Sequence, residues 1–215
     1  APGTFTIITS STSTFSTINL PACYTSQYNA GNVILTKSAP PVMTCPANSS
    51  VCITTAPYAL TGATPPGGVY SGTGVSGGNF DPATAGAGTH TITYTVTEGN
   101  MCTNTCTFTI TVNPLPSVST GTYGPVCVDA ADIILGGTPS GGTWSGVGVS
   151  GGSFDPSAGT QTLTYTYTDL NGCTNSAQTT ITVNPLPSVS TGTYGPVCID
   201  AADIVLGGTP SGGIW

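Results

Sequence analysis

Positive charge is almost absent from this 215-residue chain: Lys37 is the only lysine or arginine, against eight aspartates and glutamates, for a net charge of −7. One basic side chain cannot neutralise a run of phosphates or grip an anionic lipid surface, so nucleic-acid and membrane-surface binding are excluded. Charged residues of both signs amount to 4% of the chain, where about a quarter is usual. No stretch approaches the ~20 consecutive apolar residues that span a bilayer, so no membrane insertion is expected. The opening "APGTFTIITSS" has neither the charged nor the apolar region of a signal peptide, and the chain reads as a mature exported product. Histidine occurs once, at His90. A nucleophile needs a base beside it, so no enzyme is expected, and His90 reads as an outward-facing residue among threonines. The runs "SGVGVSGG" and "GGTPSGG" contain no lysine and lead into no helix, so they read as turns rather than phosphate loops, and no cofactor is implied.

What is present argues for folding. Apolar residues make up 38% of the chain, and β-branched residues are abundant, unlike the composition of disordered segments. Eight cysteines occur without a close CxxC pair and with a single histidine, which suits disulfides better than a metal. An oxidising, extracellular compartment follows.

The dominant feature is repetition. "TVNPLPSVSTGTYGPVC" stands at 111–127 and again at 182–198, so Ser117 corresponds to Ser188 and the period is 71 residues. An earlier, diverged copy carries "YSGTGVSGGNFDP" (70–82) where the later one has "WSGVGVSGGSFDP" (144–156), and "CTNTCTFTITVNPLP" (102–116) where the later one has "CTNSAQTTITVNPLP" (173–187). The organisation expected is a partial module at 1–41 carrying closing strands, complete modules at 42–116 and 117–187, and a partial module at 188–215 carrying opening strands.

Within a module, "THTITYTVT" (89–97) and "TQTLTYTYT" (160–168) alternate strictly, with Ile92, Tyr94 and Val96 on one face and threonines on the other. Shorter strands are expected at 132–137, 141–146 and 177–183, separated by Gly and Pro turns, with no helical period. The fold class expected is all-β: tandem immunoglobulin-like Greek-key β-sandwiches. "NPLP" (113–116 and 184–187) ends each module as a stiff spacer, so the sandwiches are expected to form a rod.

Repeat register pairs the cysteines. Cys127 and Cys173 are alone in their module and are expected to bond, which implies Cys52 with Cys102 in the earlier one. The two extra cysteines there, Cys45 and Cys106, lie near its first and last strands and are expected to form a second bridge, although four cysteines allow three pairings. Cys23 and Cys198 remain. "NVILTKSAPPV" (32–42) matches "TTITVNPLPSV" (179–189), which puts Cys23 in the register of Cys102 and Cys173. Cys198 is then expected to bond Cys23 of another molecule, or else a cysteine about 46 residues further along a longer chain, the spacing from Cys127 to Cys173.

Trp144 and Trp215 share one repeat position, with Tyr70 equivalent in the earlier module; packing beside a disulfide is expected, with a sugar-stacking platform as the sharper alternative. Asp129 and Asp132, repeated as Asp200 and Asp203, read as turn residues before an acid–base pair or a calcium site, because the upstream module has "CITTAPY" there. Asp81 and Asp155 precede prolines and read as turn initiators. Lys37 invites an isopeptide but reads as a solvated strand end, and no metal ligand set is evident.

The phrases "GGTWSGVGVSGGSFDP", "TLTYTYTDLNGCTNSAQTTITVNPLP" and "TCPANSSVC" resemble the tandem immunoglobulin-like repeats of very large surface proteins secreted by Bacteroidota, which are similar to gliding adhesins and use type IX secretion. "TCPANSSV" with "CTFTITV" is also similar to the hyalin repeat, which supports Cys45 with Cys106. The resemblance implies a secreted or cell-surface protein serving adhesion or filament formation. Its partners would be further copies of itself in head-to-tail or lateral contact, with glycan as a further candidate.

Overall fold

The computed structural model describes residues 4–9, 23–29, 32–99 and 101–214. Alternation in "THTITYTVT" becomes the strand Gly88–Thr97, in which Ile92, Tyr94 and Val96 are buried. It pairs antiparallel with Thr103–Asn113, so Phe108, Ile110 and Val112 enter the same core. The outward threonines meet across the strands: Thr89 with Thr111 at 3.1 Å and Thr97 with Thr103 at 3.0 Å. At these two pairs the threonine face satisfies its own hydroxyls. His90 departs from expectation. A two-residue period places it with Ile92 and Tyr94 rather than with the threonines, and it is half-buried, its Nε2–H donating to the Gly86 carbonyl at 2.8 Å.

Chain contacts gather into two units, Ala1–Leu115 with Asp169–Cys173, and Pro116–Thr168 with Thr174–Trp215. The first contains an antiparallel sheet in the order Thr4–Thr9, Asn32–Lys37, Tyr24–Asn29. It also contains a β-sandwich. One sheet runs Ser49–Cys52, Thr103–Asn113, Gly88–Thr97, Val69–Ser71, and the other Tyr58–Ala59, Asn79–Phe80, Val75–Ser76. Phe80 from the smaller sheet is fully buried against Ile92, Phe108, Ile110 and Val112 of the larger. Ser49–Cys52 pairs in parallel with the far end of Thr103–Asn113, so the first and last strands of the repeat lie side by side.

The second unit repeats this plan. Thr143–Ser145, Gln161–Thr168 and Thr174–Ile181 form one sheet, Ile133–Ile134, Ser153–Phe154 and Val149–Ser150 another, and Val126–Cys127 pairs in parallel with Val183–Asn184. Leu135, Phe154, Leu163 and Ile181 form its core. The strand expected over 132–137 is split into Ile133–Ile134 and Gly137–Thr138, which pair with different partners. The break has a steric setting: a Cβ on Gly137 would stand 2.4 Å from the Tyr165 ring. The described residues are all-β apart from single helical turns at Pro82–Ala85 and Pro156–Ala158. Both start where Asp before Pro had marked a turn, with Asp81 and Asp155 as N-caps.

Each sandwich is closed by one tyrosine. Tyr165 donates from its hydroxyl to the Pro139 carbonyl (2.6 Å) and accepts from the Gly142 N–H (2.8 Å); Tyr94 does the same with Pro65 and Gly68, at 2.8 Å each. Only glycine fits at the donor, since a Cβ on Gly142 or Gly68 would lie 2.5 Å from the tyrosine Cζ. Tyr165→Phe removes both bonds and strands a carbonyl and an N–H in a half-buried place. The variant is expected to lose about 1–3 kcal/mol in urea unfolding, and an unchanged midpoint would refute the role.

Candidate functional site

Two cysteine positions recur from repeat to repeat. The first is an opening-strand position. Cys52 pairs with Asn113 and Cys127 with Asn184, each beside the last residue of the repeat's final strand. The backbone repeats around them, since the next residue donates to that asparagine's carbonyl, Ile53 at 2.9 Å and Val128 at 3.0 Å. A turn follows each, with Thr55 N–H on the Cys52 carbonyl (2.9 Å), Ala130 on Cys127 (3.1 Å) and Ala201 on Cys198 (3.1 Å). The second is a hairpin position. Cys102 and Cys173 are fully buried at the turn between the two long strands, where Glu98 N–H donates to the Cys102 carbonyl (2.9 Å) and Asp169 N–H to the Cys173 carbonyl (3.0 Å).

This geometry corrects the pairing expected from register. Cys102 and Asn113 are opposite ends of one extended strand, on the order of 35 Å apart at about 3.3 Å per residue. Cys52, seated at Asn113, cannot bridge to Cys102, because a disulfide brings its Cα atoms within about 7 Å. The same separation divides Cys127, at Asn184, from Cys173. The bonds formed instead are Cys23–Cys102 and Cys52–Cys173. Cys23 is therefore bonded within the chain and not held for another molecule's Cys198. Cys23 also lies beside the end of a final strand, because Tyr24 pairs with Lys37, the residue aligned with Asn184, and Ser38 N–H donates to the Cys23 carbonyl (2.8 Å), but the pairing there is antiparallel, unlike that of Cys52 and Cys127. Cys45–Cys106 forms as expected. Cys127, expected to be bonded, carries a free exposed thiol, as does Cys198.

Two residues after each hairpin cysteine an asparagine clasps the incoming linker. Asn104 Nδ2 donates to the Pro41 carbonyl (2.8 Å) and Asn175 Nδ2 to the Pro116 carbonyl (2.9 Å). Each asparagine also accepts, through Oδ1, the N–H of the following residue at 2.9 Å, which fixes its orientation. The motif Cys-Thr-Asn, at 102–104 and 173–175, thus supplies one thiol and one linker clasp.

The aromatic positions pack inward. Trp144 stands 5.2 Å from the Tyr165 ring and 6.2 Å from Tyr123, against the core of the second unit. Its Nε1–H is buried without a partner. Tyr70 stands 4.6 Å from Tyr94 and 6.3 Å from Phe108. Trp215 lies outside the described residues. Asp129 lies in an exposed turn and Asp132 is exposed just before Ile133–Ile134, Lys37 is exposed at a strand end, and no group of three metal-ligating side chains occurs among the described residues. Asp81 and Asp155 act as caps: the Thr84 hydroxyl holds the Asp81 carboxyl below the usual carboxylate range, and the Ser157 hydroxyl does so for Asp155.

The last described segment presents an open apolar face. Ser190–Thr191 pairs with Gly208–Thr209, and the Tyr194 hydroxyl donates to the Gly207 carbonyl (2.9 Å), as Tyr123 does to Gly136 one repeat earlier (3.1 Å). Leu206 is 48% exposed, whereas the equivalent Leu135 is 8% exposed beneath Phe154, Leu163 and Ile181.

Three disulfides indicate folding in an oxidising environment, and no helix among the described residues is long and apolar enough to cross a membrane. Compared with protein-family models and with curated proteins, the chain matches none.

Proposed function

We propose that this chain is a structural segment of an extracellular filament or adhesin stalk, built from repeated disulfide-stapled sandwiches and extended by completing one repeat with strands of another. The observation that carries this reading is the repeated plan itself, one sandwich following another on the same Pro-Leu-Pro linker with Cys52 of one repeat bonded to Cys173 of the next. The opening strands at 188–214 have the local pairing of their complete equivalent, and Val189, Leu206 and Ile214 line one groove. Its occupant is the closing hairpin of a repeat of the same type, the counterpart of Gln161–Thr168 and Thr174–Ile181, which supplies the Leu163 and Ile181 that cover Leu135. Strand addition of this kind uses main-chain hydrogen bonds for affinity and alternate side chains for specificity. The uncharged Thr-covered sheets offer little of the lysine defence that natural edges use against association, which favours a polymer. Secretion to a cell surface, as in the Bacteroidota repeat proteins that the sequence resembles, fits the same role.

Leu206→Asp tests the reading. In sedimentation and negative-stain micrographs, the variant is expected to raise the concentration needed for assembly at least tenfold while leaving Tyr165-centred near-ultraviolet signals unchanged. Assembly indistinguishable from the parent chain would refute it.

A further inference from the structure

We infer that the Cys127 thiol is the acceptor of an inter-repeat disulfide whose partner is the hairpin cysteine of the following repeat. Cys52–Cys173 follows this rule, and Cys23–Cys102 shares its partner, a hairpin cysteine of the following repeat. Cys23, beside the end of the first sheet's Asn32–Lys37 strand, bonds hairpin Cys102 of the repeat that follows it. Cys52, beside Asn113, bonds hairpin Cys173 of the repeat after its own. Cys127 has the surroundings of Cys52, with the same parallel pairing, the same backbone bond to the terminal asparagine and the same turn beyond. It differs in one respect, that its thiol is exposed and free.

The linker supplies the other half of the site. Downstream of Asn113 the chain passes through Pro114 and Leu115 to Pro116, whose carbonyl Asn175 clasps two residues from Cys173. Asn184 is followed by the same Pro-Leu-Pro, ending at Pro187. The ligand of the Cys127 site is therefore a Cys-Thr-Asn hairpin, whose asparagine clasps the Pro187 carbonyl while its cysteine meets Cys127. Cys198, with its matching turn at Ala201, is the acceptor for the repeat after that.

Bond formation has two balanced routes. With a hairpin thiol, two S–H groups lose two protons and two electrons to a disulfide oxidant, which becomes a dithiol. With a hairpin already bonded, as Cys102 is in a second copy, the acceptor thiolate attacks the Cys102 Sγ, Cys23 leaves as a thiolate with no net oxidation, and Asn104 exchanges its own Pro41 carbonyl for Pro187.

The inference rests on the repeat-segment reading, and one preparation separates the two. Natural assembled protein, co-assembled from 14N- and 15N-labelled material, is alkylated without reduction and digested with pepsin at low pH, where disulfides do not exchange. The expected result is a Cys127 peptide joined to a hairpin cysteine peptide. A mixed-isotope pair identifies a second copy as the source, and a single-isotope pair a later repeat of one polypeptide; both support the inference. Alkylated Cys127, or Cys127 joined to Cys198 or to a non-hairpin cysteine, overturns it. Electron micrographs of the same sample report separately on the filament, so filaments with alkylated Cys127 overturn this inference alone. Cys127→Ser is expected to abolish that one cross-linked peptide while Cys52–Cys173 is recovered unchanged, which shows that the variant still folds.

Discussion

Phe154→Ala is expected to unfold residues 117–187 under conditions where the parent chain is folded, through a loss of about 3–5 kcal/mol. Phe154 has no exposed surface and closes a core completed by Leu135, Leu163 and Ile181. A core in a domain of this size supplies only ~3–5 kcal/mol of net stability, so one cavity of that size consumes it. No bridge compensates, because no disulfide joins two residues of 117–187: Cys127 is free and Cys173 is bonded to Cys52. The measurement is a urea titration followed by Trp144 fluorescence and near-ultraviolet circular dichroism, with an exposed-site substitution such as Val205→Ala as control. If Phe154→Ala and Val205→Ala have the same midpoint, the packing account of this repeat is wrong.

The repeat at 42–115 is held differently, and the second large effect is there. The double variant Cys45→Ala with Cys106→Ala is expected to lose about 4 kcal/mol, the chain-entropy contribution of a bridge across 61 residues. At the matching places the later repeat has Thr120 and Ala177, so the earlier one relies on a staple that its neighbour does without. Scanning calorimetry of the oxidised parent and the double variant reads the difference. Equal transition temperatures would mean that the bridge strains the native state as much as it restricts the unfolded one.

Much of this arrangement was legible in the residues. Thr–Ile–Thr–Tyr alternation defined the long strands and their buried face, Asp before Pro marked both helical turns, and the bridge expected between Cys45 and Cys106, the two cysteines left over near the first and last strands, is formed. Repeat register told which cysteines are equivalent but not which strand ends meet. The parallel seating of Ser49–Cys52 at the end of Thr103–Asn113 is a long-range pairing with no local signal, and it moved Cys52 a whole strand length from Cys102. Asn175 gave no warning either. It reads as an ordinary turn asparagine until its amide is seen on the Pro116 carbonyl. His90 was the simpler miss, since counting by two from Ile92 already places it inward.

The Cys52–Cys173 bond also changes what the Pro-Leu-Pro linker must withstand. The peptide from Asn113 to Pro116 is one covalent route between the earlier repeat and the later one, and the disulfide is a second route in parallel. A protease that cuts the linker therefore produces two fragments that stay joined until they are reduced. Under tension, the linker and the disulfide form two covalent load paths between the same two repeats.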